Sequence, residues 1–124
     1  MTQSLEDYLE TVGNLAQNGM IPRVKDIAKT LGLSKPSVHI ALHLLEDHGM
    51  LEHEPYKDII LTEKGWYKYK EIKEKHDIIS KFLQKVMGLS EEIAEKDGCQ
   101  MEHTLSPETI ARMREMLGEE KIES

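Results

Sequence analysis

The segment from residue 24 to residue 49 constrains the fold more than any other part of the sequence. Apolar residues at three- and four-residue spacing predict a short helix that closes at Gly32. A second predicted helix follows, with Ser34 as its N-cap and Pro36 in its first turn, and it stops at Gly49. Two helices joined by a short glycine-containing turn are typical of a helix-turn-helix. The spacing alone is also compatible with an ordinary helical hairpin.

A predicted β-hairpin follows the second helix directly and favours a DNA-binding fold over a plain helical hairpin. Residues 50–53 and 58–61 are short apolar or alternating segments, joined by the loop Glu54-Pro55-Tyr56-Lys57. A helix-turn-helix followed at once by a hairpin is the winged-helix arrangement. We therefore predict a mainly α-helical protein whose residues 1–70 form a winged helix-turn-helix domain.

The second helix of a helix-turn-helix enters the major groove and reads base edges through exposed residues near its N-terminus. Lysine and serine side chains reach phosphates, whereas apolar side chains contact thymine methyl groups. Tyr56 and Lys57 are predicted to lie at the wing tip, within reach of the phosphate backbone. Basic residues are few, so tight binding requires two subunits on one site. The candidate DNA-binding residues are Lys35, Pro36, Ser37, His39, Ile40, His43, Tyr56 and Lys57.

Helices are also predicted outside this segment, and the longest carries a broad apolar stripe from Tyr69 to Val86. The N-terminal domain alone is too small to bury that stripe. We therefore predict that residues 71–124 form an α-helical dimerisation domain and that the protein is a homodimer. The predicted helices are residues 4–17 with Ser4 as N-cap, residues 62–87, residues 91–104 after Ser90, and a last helix starting at Ser106 and Pro107.

Metal-binding residue types concentrate in the run Cys99-Gln100-Met101-Glu102-His103. On the helix predicted over residues 91–104, Cys99, Glu102 and His103 project from adjacent parts of one face. A thiolate, a carboxylate and an imidazole together suit a divalent transition metal better than calcium or magnesium. A single cysteine forms no internal disulfide, so Cys99 is a buried thiol, an intermolecular crosslink or a ligand.

Two other parts of the sequence offer further ligands, since three rarely suffice. Asp7 and Glu10 are spaced i, i+3 in the first predicted helix, so their carboxylates share one face. His76 lies in the long helix and is a natural neutral-imidazole ligand. If the three helices meet, these residues and the run at 99–103 form one site. The carboxylates also have a simpler interpretation as groups that complement a helix dipole.

The net charge of −7 is unusual for a nucleic-acid binder, but the charge is unevenly distributed. Residues 20–70 carry eight basic and seven acidic side chains, whereas residues 71–124 carry thirteen acidic and eight basic ones. Acidity is therefore concentrated where the metal ligands are predicted, and a divalent cation would relieve part of the repulsion.

No apolar run approaches the roughly 20 residues of a membrane span, and the N-terminal residues lack the pattern of a signal peptide. We therefore expect a cytoplasmic protein without a membrane partner. We do not expect an enzyme, because metal binding would use every candidate ligand. No separate general base or substrate pocket can be identified.

Four runs and one single histidine, spread over almost the whole chain, match one family. They are Glu6-Asp7-Tyr8-Leu9-Glu10, Lys35-Pro36-Ser37-Val38, Leu61-Thr62-Glu63-Lys64-Gly65, His76, and Cys99 to His103 followed by Leu105-Ser106. The chain resembles the metal-dependent transcriptional repressors of the diphtheria toxin repressor and manganese transport regulator family, in the short form without an SH3-like domain. The Cys-x-x-Glu-His run with an upstream His is fairly specific.

The resemblance implies a homodimer whose metal-bound form binds a palindromic double-stranded operator and represses metal-uptake genes. It also implies that Asp7, His76 and Glu102 are ligands, as in manganese-type members. Glu10 and His103 would complete a two-metal or second site.

The resemblance leaves the physiological metal open between Fe²⁺ and Mn²⁺, with Co²⁺, Ni²⁺ or Zn²⁺ as possible substitutes. Cys99 matches the iron-responsive type, since manganese-type members usually have Glu there. Asp7 matches the manganese type, since iron-type members usually have Met there. Ser80 stands where many members have a Glu ligand for an ancillary site.

Two alternatives to metal-activated regulation remain at this point. One is a winged-helix DNA-binding module that needs no metal. The other is a redox sensor, in which an exposed Cys99 thiol of low pKa is oxidised.

Overall fold

The computed structural model describes residues 1–53 and 58–118. The predicted wing-tip residues Tyr56 and Lys57 lie outside the described residues. The chain divides into two compact units, residues 1–71 and residues 72–124. The elements are α1 (Gln3–Gln17), α2 (Val24–Leu31), α3 (Lys35–Asp47), β1 (Leu51–Glu52), β2 (Ile60–Leu61), α4 (Glu63–Lys85), α5 (Glu91–Met101) and α6 (Pro107–Met116).

The prediction of a mainly α-helical protein with an N-terminal winged helix is confirmed. The turn between α2 and α3 forms at the glycine and the serine cap that the sequence predicted. Gly32 adopts a left-handed conformation with φ of 67°, which a glycine reaches without steric cost. The Ser34 side chain accepts a hydrogen bond from the backbone N–H of Ser37 at 3.3 Å, and this caps α3.

The predicted start of α1 at Ser4 is wrong. The helix begins at Gln3, and the Thr2 side chain accepts a hydrogen bond from the N–H of Leu5 at 3.2 Å. Threonine caps a helix in the same way as serine, and this cap lies two residues before the predicted cap Ser4.

The core of the first unit lies where α1, α2 and α3 pack against one another. Its side chains come from the apolar positions that recur at three- and four-residue spacing, as expected for helices that bury one face. The fully buried core side chains of these helices are Leu9, Val12, Ile27, Val38, Leu42 and Leu45.

The wing is a two-stranded antiparallel hairpin in which Leu51 pairs with Leu61 and Glu52 pairs with Ile60. Both leucines are buried, whereas Glu52 and Ile60 are exposed, as the two-residue periodicity of a strand requires. Gly65, early in α4, has no room for a side chain because a Cβ there would collide with the carbonyl of Met50. Glycine therefore lets α4 start directly against the strand end.

The core of the second unit joins α4, α5 and α6. Large apolar side chains at its edge, among them Val86 and Ile93, are exposed. Within the described residues, no helix is both long and apolar enough to cross a membrane. The buried cluster consists of Ile78, Ile79, Leu83, Ala94, Ile110 and Met113.

The helix predicted over residues 91–104 is too long. It ends at Met101, and Glu102 is its C-cap. The backbone N–H groups of Thr104 and Leu105 both donate to the Met101 carbonyl, at 3.0 Å each, so the chain turns there. Leu105 then packs against the core of the second unit.

Candidate metal centre

His76 lies in the part of α4 that belongs to the second unit, and it is only 3% exposed. Its ring contacts a carboxylate on each side. Nδ1 lies 2.9 Å from Glu102 Oε1, and Nε2 lies 2.9 Å from Glu95 Oε1. Both carboxylates come from α5 or its C-cap, so the packing of α4 against α5 forms this cluster.

Glu102 is a buried carboxylate whose two oxygens have different surroundings. Oε1 contacts His76, whereas Oε2 has no hydrogen-bond partner among the described residues. Oε2 lies 3.3 Å from His103 Nε2, without the geometry of a hydrogen bond. Because a buried oxygen without a hydrogen bond costs free energy, this atom indicates a position for a cation.

Cys99 completes a three-residue cluster within the second unit. One ligand atom from each of His76, Cys99 and Glu102 lies within 4.8 Å of the others. His76 and Glu102 are buried, whereas the Cys99 residue is exposed, so the cluster lies at the edge of the core.

This donor set fits a divalent transition metal. A thiolate favours iron, cobalt or zinc, an imidazole suits all of these, and a carboxylate also suits manganese. The oxygen of Glu102 that lacks a hydrogen bond supplies an acceptor in the same buried space. The residues present therefore fit the kind of ion that the sequence predicted.

Glu95 belongs to this cluster, although it was not among the ligands predicted from the sequence. Its Oε2 accepts a hydrogen bond from the Ser80 hydroxyl at 2.6 Å, and Ser80 in turn accepts one from Gln84 Nε2 at 3.1 Å. One signal in the sequence pointed to it, because Glu95 lies four residues before Cys99 and so shares its helix face.

The neighbouring carboxylates control the protonation of His76. The hydrogen bond to Glu102 raises the pKa of His76 to about 9, against the opposing effect of burial, and the hydrogen bond to Glu95 adds to the increase. The pKa of Glu95 is lowered, mainly by the hydrogen bond from the Ser80 hydroxyl and to a smaller extent by the hydrogen bond with His76. At neutral pH without metal, His76 is therefore an imidazolium held between two carboxylates.

The other predicted ligands are placed as follows. Asp7 and Glu10 lie one turn apart on α1, in the first unit, and both are partly buried. Their spacing gives the shared helix face that the sequence predicted. His103 lies just after α5, and its side chain is 1% exposed.

The exposed face of α3 carries the predicted DNA-binding residues that the structure describes. They alternate with buried residues such as Val38 and Leu42, so the helix presents one face to the core and the other to solvent. The exposed residues on this face are Lys35, Pro36, Ser37, His39, Ile40 and His43.

Two family sequence models match the chain, one on each side of the hairpin's end. The family described as "Iron dependent repressor, N-terminal DNA binding domain" matches residues 1–59. The family described as "Iron dependent repressor, metal binding and dimerisation domain" matches residues 62–122.

Individual proteins with similar sequences are also transcriptional regulators. The chain is 36% identical over 115 residues to an uncharacterized HTH-type transcriptional regulator, MJ0568, of Methanocaldococcus jannaschii, covering 92% of each chain. It is 36% identical over 110 residues to the transcriptional regulator MntR of Escherichia coli O6:H1, covering 89% of this chain and 70% of the other.

Among solved structures, that of IdeR from T. acidophilum matches with a TM-score of 0.81 and 25% identity. The match covers 91% of this chain and 53% of that chain. This chain therefore spans about half the length of that solved relative.

Proposed function

Because this chain belongs to the iron-dependent repressor family of transcriptional regulators, we propose that it is a homodimer that binds a palindromic operator when it is loaded with metal. The observation that carries the proposal is the buried Glu102 carboxylate, whose Oε2 lacks a hydrogen bond beside His76 and Cys99. This cluster lies in the part of the chain that matches the metal-binding and dimerisation domain. Family membership also disfavours the metal-independent alternative.

We assign the metal to ligands from three elements. The central donors are His76 of α4, Cys99 of α5 and the C-cap Glu102, whose ligand atoms lie within 4.8 Å of one another. We propose that Asp7, Glu10 and His103 complete the coordination, in the same site or in a second one. Fe²⁺ and Mn²⁺ are the proposed physiological ions, because the set combines one thiolate with several oxygen and imidazole donors.

The proposed ligands would couple metal binding to DNA binding, because they lie in different units. Asp7 and Glu10 belong to the unit that carries α3, whereas His76, Cys99 and Glu102 belong to the other. When bound, the metal supplies the positive charge that brings these acidic groups together. The ligands thereby restrict the orientations of α3 in the dimer. A coupling free energy of about 1–3 kcal/mol would change operator affinity by roughly 5- to 150-fold.

Glu95 and Ser80 have a positioning role in this proposal. Glu95 contacts His76 Nε2, and the Ser80 hydroxyl fixes the second Glu95 oxygen. Outer carboxylates of this kind orient a ligating imidazole and raise its basicity. We infer that Glu95 holds the His76 ring so that Nδ1 faces the space beside Glu102 and Cys99.

DNA recognition is assigned to the exposed face of α3 and to the wing. Lys35 and Ser37 would contact phosphates, while Pro36 and Ile40 would contact thymine methyl groups. The two histidines of α3, His39 and His43, would face base edges or phosphates. Tyr56 and Lys57 remain proposed wing-tip contacts.

The relatives that this chain matches are transcriptional regulators rather than enzymes. We accordingly propose a regulator with no catalytic activity, located in the cytoplasm with its DNA. The regulated genes would encode proteins for iron or manganese uptake.

Selection of bound sequences from a random DNA library tests this function. The protein should enrich an inverted repeat in the presence of Mn²⁺ or of anaerobic Fe²⁺, and it should enrich little with a chelator. Equal enrichment with the chelator would overturn metal activation. Enrichment of a sequence without two-fold symmetry would overturn binding as a symmetric dimer.

A further inference from the structure

A second group of metal-binding residue types lies in the first unit and takes no part in the proposed metal centre. His39 and His43 are spaced i, i+4 on the exposed side of α3, and Glu46 follows one turn later. His53 comes directly after β1, on the side of the strand that leads into the hairpin loop. Three imidazoles and one carboxylate thus come from α3 and from the residue that follows β1.

Contacts within the group link all four residues. The rings of His39 and His53 are stacked, with centroids 6.3 Å apart and an angle of 20° between their planes. His43 Nδ1 lies 3.6 Å from Glu46 Oε1. The other oxygen of Glu46 accepts a hydrogen bond from the backbone N–H of His53 at 3.4 Å. Glu46 therefore connects the recognition helix to the wing strand.

These four residues also line one cavity, whose volume is about 250 Å³. That space accommodates an ion together with bound water. The His43 side chain is 83% exposed, so its ring can turn toward the cavity without losing buried contacts.

The donor types determine which ion would suit the cavity. Zinc in proteins is bound by imidazole nitrogens and carboxylate oxygens, commonly in tetrahedral geometry. Two histidines at i, i+4 on one helix face are also the spacing with which zinc metalloproteases hold their ion. We propose that His39, His43 and His53, with Glu46, form a zinc site that is separate from the His76, Cys99 and Glu102 centre.

The consequence for regulation rests on the proposed function. His39 and His43 are among the residues assigned to DNA, and an imidazole that coordinates zinc does not contact a base or phosphate at the same time. Zinc there would also tie the wing strand to α3. Occupancy of this site therefore lowers DNA affinity, the opposite of the effect of metal at the other centre.

The zinc site is tested first without DNA. The full-length double variant His39→Gln/His43→Gln should bind one Zn²⁺ fewer per chain than the wild type in competition with a chromophoric chelator. His48→Gln removes another exposed α3-end histidine and should leave the count unchanged. His53→Gln tests the wing side of the site and should also remove the additional zinc. Equal zinc counts in the wild type and the double variant would overturn the site.

Cobalt distinguishes the two centres by spectroscopy. Co²⁺ coordinated by the Cys99 thiolate gives a sulfur-to-cobalt charge-transfer band. Co²⁺ coordinated only by histidines and a carboxylate gives ligand-field bands without that charge-transfer band. The double variant should keep the thiolate band and lose part of the ligand-field absorption. Retention of the full ligand-field absorption would contradict the proposal.

The effect on DNA is measured as the ratio of affinities with and without excess Zn²⁺, at fixed Mn²⁺ and salt. Excess Zn²⁺ should lower the DNA affinity of the wild type at least tenfold and leave that of the double variant nearly unchanged. An equal ratio in both proteins would overturn the inhibitory role. Failure of Mn²⁺ itself to tighten DNA binding by the wild type would instead refute the proposed function, so the two failures can be told apart.

Discussion

Glu102 Oε1 lies 2.9 Å from His76 Nδ1, and neither side chain is more than 4% exposed. Removal of one partner of such a buried pair destabilises the protein, because the other partner's charge is then left without compensation in a poorly solvated place. The same two groups are the central ligands in the proposed metal centre. A proton on His76 and a metal ion are thus alternative partners for the Glu102 carboxylate.

Substitution of Glu102 tests the metal centre directly. Glu102→Gln keeps the side-chain volume but removes the negative charge, so we expect Mn²⁺ affinity to fall by at least tenfold while the dimer persists. Isothermal titration and sedimentation velocity measure the two properties. Glu92→Gln changes an exposed carboxylate in the first turn of α5 and should match the wild type. Unchanged Mn²⁺ affinity in Glu102→Gln would remove this residue from the ligand set.

The stability of the metal-free protein should fall as the pH rises through about 9. The pKa of His76 is raised from 6.5 to about 9, so the folded state holds this proton more tightly than the unfolded state. The stabilisation is complete below pH 6.5 and disappears above about 9. It amounts to at most roughly 3 to 4 kcal/mol at 1.36 kcal/mol per pKa unit. Urea unfolding in chelator at pH 6, 7.5 and 9.5 measures it.

The variant His76→Gln is the control for this pH dependence. It lacks the titrating imidazole, so its stability should change much less between pH 6 and 9.5. The same pH dependence in His76→Gln and the wild type would assign the effect to other groups.

Metal affinity should show the opposite dependence on pH. Ligation by His76 requires loss of its proton, and metal affinity at a protonated ligand therefore rises with pH. We expect the apparent Mn²⁺ affinity to increase up to about tenfold per pH unit between pH 6.5 and 8.5. A proton-release measurement by calorimetry in two buffers of different ionisation enthalpy checks the origin of this slope. A flat profile would exclude a protonated His76 as the competing state.

Glu95→Gln tests the positioning role of Glu95. Removal of one of the two carboxylates should lower the pKa of His76, which NMR titration of the ring protons in the metal-free protein measures. The exposed Glu91 on the same helix provides the control, because Glu91→Gln should leave the midpoint unchanged. An unaltered His76 midpoint in Glu95→Gln would contradict the observed contact at 2.9 Å.

Much of the fold follows from local sequence signals. The caps Ser34, Ser90 and Ser106 each accept a hydrogen bond from the backbone N–H three residues later, as serine at an N-cap does. Gly32 and Gly49 both have positive φ, so the turns that they were expected to make are present. These features depend on a few neighbouring residues, which explains why the helix order and the hairpin were predictable.

The details of the candidate centre depend on packing that the sequence does not display. The end of α5 at Met101 follows from the turn that sends Leu105 into the core. Glu95 looked like any solvated helix carboxylate, and only the packing of α4 against α5 brings it to His76. Spacing predicted that Cys99 and Glu102 share a face. It did not predict that one Glu102 oxygen would be buried without a hydrogen bond.

The most direct test of the account is fluorescence anisotropy on DNA from the protein's own upstream region, at fixed salt, with chelator, with Mn²⁺ and with anaerobic Fe²⁺. Wild type and Glu92→Gln should bind roughly 5- to 150-fold more tightly with at least one metal than with chelator. Glu102→Gln should lose most of that difference. Equal DNA affinity of the wild type in all three conditions would contradict metal activation, and full activation of Glu102→Gln would contradict the proposed centre.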